Sequence, residues 1–64
     1  MKRKELEKKL RGLGWFFDRH GGNHDAWTNG TIYEFIPRHN EIKEGLARKI
    51  LKKAEHNPPK SGSH

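Results

Sequence analysis

The chain contains no cysteine and no valine, and no apolar run approaches the ~18 residues that a membrane span needs. Without cysteine there is neither a disulfide framework nor a thiolate zinc site to reinforce a small core. The charged start, Met1 to Lys4, is not followed by the apolar segment of a secretory signal, which points to a soluble, cytoplasmic protein with no membrane partner. Apolar side chains are scarce too. Leu, Ile and Phe together supply twelve of 64 residues, and with a net charge of +6 that is a level at which disorder competes with folding. Placement decides the matter, because all nineteen residues of the hydrophobic class lie within residues 1–54. The expectation is one small folded domain over residues 1–54, too short to divide in two, followed by a disordered tail over residues 55–64.

What is present is well punctuated. Leu6, Leu10 and Leu13 recur at helical spacing among good helix formers, Glu5 stands four residues before Lys9, and Gly12 or Gly14 is placed to close the helix. Trp15-Phe16-Phe17 opens an aromatic run suited to a strand, which ends at the turn-forming His20-Gly21-Gly22-Asn23. Asn29-Gly30 between two strand-like runs predicts a hairpin with a type I′ turn, across which Trp27 and Tyr33 face each other or nearly so. Pro37 has no N–H for a ladder bond and ends the third strand. Asn40 or Glu44 can cap a second helix whose apolar stripe is Ile42, Leu46, Ala47, Ile50, Leu51 and Ala54, with Gly45 either in its first turn or allowing another backbone close. The fold class is therefore α+β, with the order helix, three antiparallel strands, helix. Both helices cover one face of the sheet and the other face stays open to a ligand or partner.

Positive charge is concentrated at the two ends of this unit. Residues 1–11 carry a net +4, residues 12–37 a net −2, and residues 38–54 a net +4. Helices so charged suit a polyanion, since lysine and arginine gain affinity by releasing the counterions of phosphates; an acidic protein partner, or a merely solvated surface, would need the same residues.

Five histidines prompt a search for metal or acid–base chemistry. His20 and His24 flank a Gly-Gly-Asn turn instead of sharing a helix face, and apart from Asp18 and Asp25 no carboxylate is near, so a zinc site built from His20, His24 and His39 is disfavoured and no metal or other cofactor is expected. His24 stands out because the small residues before it leave room for a bulky substrate, and an imidazole can take or give a proton near neutral pH. The same residue can also simply decorate a turn. His39, beside Arg38 and just ahead of the second helix, can cap or contact phosphate. The aromatics Trp15, Phe17, Trp27, Tyr33 and Phe35 can stack on bases, although a core this small needs most of them.

Taken together, Leu6 and Leu10, Gly14-Trp15, Arg19, Gly22-Asn23-His24, Trp27, Pro37-Arg38-His39, Glu41-Ile42, Gly45-Leu46 and Lys49 to Lys52 resemble the HicA toxins of bacterial and archaeal toxin–antitoxin pairs. The resemblance runs through most of residues 2–54. It implies a fold similar to the double-stranded RNA-binding domain and an endoribonuclease that cleaves mRNA to arrest growth. It also implies a catalytic histidine at His24 and a HicB antitoxin that masks it. RNA contacts are then expected from Arg19, Asn23, Arg38, His39, Lys49 and Lys52, and the second proton-transfer group from His20, His39 or a water. The sequence departs from the family at Ala26, where a larger aliphatic is more common and a looser core is the expected result, and from Glu55 onward. Two other readings fit the residues: a non-catalytic RNA-binding module of double-stranded type, and an interaction protein for an acidic partner.

Overall fold

The computed structural model describes residues 1–59. The order is α1 (Arg3–Gly12), β1 (Phe16–Gly21), β2 (His24–Thr28), β3 (Tyr33–Pro37) and α2 (Glu44–His56), with the strands forming one antiparallel sheet in the order β1-β2-β3. The α+β expectation holds. α1 buries Leu6 and Leu10, carries Glu5 in its first turn and Lys9 and Arg11 in its last, and so suits the helix dipole at both ends. On this helix Arg3 pairs with Glu7 at 3.6 Å. Gly14 closes it with φ of 92°, a left-handed conformation that costs glycine little, and Pro59 lies where a β-carbon at Gly14 would stand.

Among the described residues the main core cluster consists of Leu6, Leu10, Trp15, Trp27, Ile36, Ile42, Ala47, Ile50 and Ala54. Trp15 lies just ahead of β1, not within it, and its indole N–H donates to the carbonyl of Ala54 at 3.3 Å. Leu46, expected in the buried stripe of α2, is exposed, and Gly45 is the second residue of the helix with nothing near its missing β-carbon, so it lies in the first turn. Lys43 precedes α2 as its N-cap without a side-chain bond, in place of Asn40 or Glu44. The start of the chain instead braces this region: Arg3 N–H donates to Asn40 O and Ile42 N–H to Met1 O.

Three local expectations are corrected. The hairpin at Asn29-Gly30 is a four-residue loop between the paired Thr28 and Tyr33, not a type I′ turn, because Gly30 alone of the two has positive φ. Asn29 uses its side chain instead: Oδ1 accepts from the N–H groups of Thr31 (2.8 Å) and Ile32 (2.9 Å), and Nδ2 donates to Asn57 O (2.7 Å). Trp27 and Tyr33 are not a cross-strand pair; Trp27 opposes Glu34 and Tyr33 opposes Thr28, which puts them on opposite faces. The domain boundary expected after Ala54 falls inside a helix that runs to His56, and Asn57 is held by the bond to Asn29. The remainder of the expected tail, residues 60–64, lies outside the described residues.

Candidate active site

Strand alternation sorts the sheet residues into two faces. Asp25, Trp27, Glu34 and Ile36 point toward the helices, as the ion pair of Glu34 with Lys53 on α2 (2.7 Å) and the burial of Ile36 both require. The other face carries three cross-strand rows: Phe16, Thr28 and Tyr33; Arg19, Ala26 and Phe35; Gly21, His24 and Pro37. A bulge between Phe17 and Arg19 shifts the phase of β1, so that Arg19 falls on the open face and His20 on the helix side.

His24 therefore stands at the end of the open face, where the tight β1–β2 turn meets the end of β3. Pro37 cannot donate to the ladder, but the next residue continues it: Arg38 N–H donates to Asn23 O at 3.2 Å. The Arg38 guanidinium lies 3.5 Å from Gly22 O, and the Arg38 carbonyl accepts from Arg3 Nη1 at 2.8 Å. Beneath them, Asp25 Oδ1 is 3.6 Å from Arg38 Nε and 2.7 Å from His20 Nδ1. A carboxylate only accepts, so this contact places the proton of His20 on Nδ1 and turns the ring toward the helix side. Asp25 is thus a nearly buried acid with two solvent-facing cationic or ionisable partners, one of them Arg38 of the cleft.

Two clefts open here, each of about 520 Å³. The first is lined by Gly22, Asn23, His24, Pro37, Arg38 and His39. The second shares His24, Pro37 and His39 and continues to Lys43 and Leu46 at the start of α2. Of the residues singled out from the sequence, His24, Asn23, Arg38 and His39 come together. Arg19 does not join them; it pairs with Asp18 at 2.6 Å and lies over the Tyr33 ring at 5.6 Å. Lys49 and Lys52 are exposed on α2 and line neither cleft. His20 is separated from His24 by the sheet. Among the described residues no group of three or more His, Asp or Glu side chains is arranged as a metal site.

Two participants escape the sequence reading. Asp25 is one, and its signal is a charged residue in the inward phase of a strand, where an apolar residue is the rule. Lys43 is the other, brought to the second cleft by the loop before α2, and nothing local in the sequence marks it. Chemically, the first cleft offers two imidazoles for proton transfer and one guanidinium for a phosphate, in a space open enough for a chain-like ligand. In comparison with known families, the family model described as the HicA toxin of bacterial toxin–antitoxin matches residues 3–55. No curated protein and no solved structure matches the chain significantly.

Proposed function

The chain belongs to the HicA toxin family, which makes it a toxin with an antitoxin partner, and from that premise we propose that it is an endoribonuclease acting on mRNA through His24. The observation that carries this reading is the convergence of His24, His39 and Arg38 on one cleft. RNA supplies its own nucleophile, the 2′-hydroxyl, so the protein has only to move two protons and offset charge. His24 takes the proton of the 2′-hydroxyl as the 2′-oxygen bonds to phosphorus. The bond from phosphorus to the 5′-oxygen breaks, and His39 as imidazolium gives that oxygen its proton. Arg38, with Asn23 beside it, faces the non-bridging oxygens. The products are a 2′,3′-cyclic phosphate and a 5′-hydroxyl, and no cofactor enters the balance. His39 fills the second role better than His20, because His20 faces the opposite side of the sheet. Arg19, Lys49 and Lys52 bind RNA away from the cleft. The partner is an antitoxin of the HicB type that covers the His24 cleft, and the toxin acts in the cytoplasm, where its mRNA is.

The test is cleavage of a long labelled single-stranded RNA in the presence of EDTA. The wild type is expected to cut, and folded His24→Ala and His39→Ala variants to lose about 10²- to 10⁴-fold in rate. Replacing the scissile 5′-oxygen by sulfur gives a leaving group that needs no proton, so His39→Ala should regain most of its rate on that substrate while His24→Ala stays slow. If neither the wild type nor the variants cut and all retard RNA equally, the protein is a non-catalytic RNA-binding module. Restoration of His24→Ala by sulfur would exchange the two roles.

A further inference from the structure

The open face of the sheet is unusual for a domain with so few apolar residues, because it exposes three aromatic side chains. Phe16 is 50 % exposed, Tyr33 41 % and Phe35 60 %. A core short of apolar material would have gained from burying any of them, and an exposed aromatic patch of this kind marks a binding surface. The rings are also ordered. Tyr33 and Phe35 lie with their planes 16° apart and centroids 6.4 Å apart, and the Arg19 guanidinium is set over Tyr33. Between Arg19 and Phe35 in the same cross-strand row stands Ala26, whose small side chain leaves the surface low between them and lets Arg19 cross β2 to reach Tyr33. Ala26 is buried on this face although it lies outside the core cluster between sheet and helices, so the place where its small size is felt is beneath Arg19.

We infer that this face is a stacking platform for unpaired bases of single-stranded RNA. A nucleic acid fits this face better than an acidic or apolar peptide: the three cross-strand rows contain no carboxylate, their guanidinium, Arg19, paired with Asp18 of the bulge, lies over an aromatic ring, and the face runs on to the cleft that holds Arg38. The rings select a single strand over a duplex, because aromatic side chains and arginine planes stack on base faces that a duplex keeps to itself. Continuity gives the platform a direction. His24 is two residues along β2 from Ala26 on this same face, so a strand whose bases rest on Tyr33 and Phe35 runs onward to the imidazole. The inference rests on the ribonuclease reading only for that last step; binding itself does not require cleavage.

The experiment uses the full chain and a fluorescent ten-nucleotide RNA methylated at every 2′-oxygen, which has no nucleophile and cannot be cut, as single strand and as duplex. Tyr33→Ala and Phe35→Ala are each expected to weaken single-strand binding by about 5- to 100-fold and to leave duplex binding within twofold, while Phe35→Trp retains or improves it. Circular dichroism checks the fold of each variant, and Phe35→Trp keeps the test decisive if an alanine variant is unfolded. Single-strand affinity unchanged in the alanine variants overturns the inference. So does equal loss for both ligands, which would mark a general structural effect of the substitutions and not stacking on unpaired bases. The unmethylated strand, tested beside it, reports on the ribonuclease reading separately: absence of cleavage with the stacking pattern intact would refute only the catalytic claim.

Discussion

Replacement of Asn29 is the sharpest test of the fold, because the turn expected from Asn29-Gly30 and the turn observed predict opposite outcomes. In a type I′ turn Asn29 would sit at positive φ, where glycine is the best residue, and Asn29→Gly would be close to neutral. In the structure Asn29 is buried, does not have positive φ, and makes three side-chain hydrogen bonds. Removing it leaves the N–H groups of Thr31 and Ile32 and the carbonyl of Asn57 without that partner. At about 1 kcal/mol per bond, with some extra for groups that water reaches poorly, the cost of Asn29→Gly is about 2–4 kcal/mol. A domain of this size holds only about 3–10 kcal/mol in all, so the variant should lie near the edge of folding. With a urea m-value of about 1 kcal/mol/M the midpoint falls by about 2–4 M, read from the fluorescence of the buried Trp15 and Trp27. Asn29→Asp keeps the acceptor and loses only the donor to Asn57, so it should cost about 1–2 kcal/mol. A midpoint for Asn29→Gly within about 0.5 M of the wild type would refute the side-chain latch.

Gly45→Ala should stabilise the protein by up to about 1 kcal/mol, since a β-carbon there meets nothing within 4 Å and alanine restricts the unfolded chain; thermal unfolding shows it as a rise of a few degrees. At the chain start, the hydrogen bond from the Met1 ammonium to Glu41 (2.9 Å) raises the pKa of the ammonium and lowers that of the Glu41 carboxyl. The carboxylate's contribution is present above the ordinary carboxyl range and is lost as pH falls through its lowered value. That of the ammonium is full below its ordinary value and is lost as pH rises through the raised one. Glu41→Gln should therefore destabilise most between about pH 5 and pH 8 and converge on the wild type at both extremes of a pH series of urea midpoints.

The element order was readable because each boundary has a local chemical cause: Gly14 after the leucine spacing, the glycine pair at 21–22, and Pro37 at the end of β3. Turn type was not readable, since the same Asn-Gly pair serves two backbone conformations and a partner 28 residues away, Asn57, decides between them. The face of each β1 residue was hidden by the bulge at Asp18, which exchanges the sides of Arg19 and His20. That one extra residue puts Arg19 on the face of His24 and takes His20 off it, and Arg19 stays out of the cleft because its side chain is engaged by Asp18 and the Tyr33 ring. The meeting of His24 with Arg38 and His39 depends on the β2–β3 register, which pairs His24 with Pro37 and which alternation alone does not set.

Asp25 explains how so small a domain keeps its cleft in shape. Its side chain is 9 % exposed, while His20 and Arg38 are 64 % and 48 % exposed. Burial of a charge is costly, and contacts with such solvent-facing partners return little net stability. Removing the buried member strands nothing, because both partners are already solvated, so Asp25→Asn should change stability by no more than about 1 kcal/mol. Removing both partners does strand a charge, and His20→Ala/Arg38→Ala should lose about 2–3 kcal/mol, more than the two single losses together. Adding Asp25→Asn to that double variant should then recover most of the loss, a sign reversal that no sum of independent contacts produces. Such a cycle, read from urea midpoints, would show that Asp25 serves to hold Arg38 at the His24 cleft and not to hold the fold together. If the triple variant is no more stable than the double, the carboxylate is well solvated without its partners, and the positioning role fails with it.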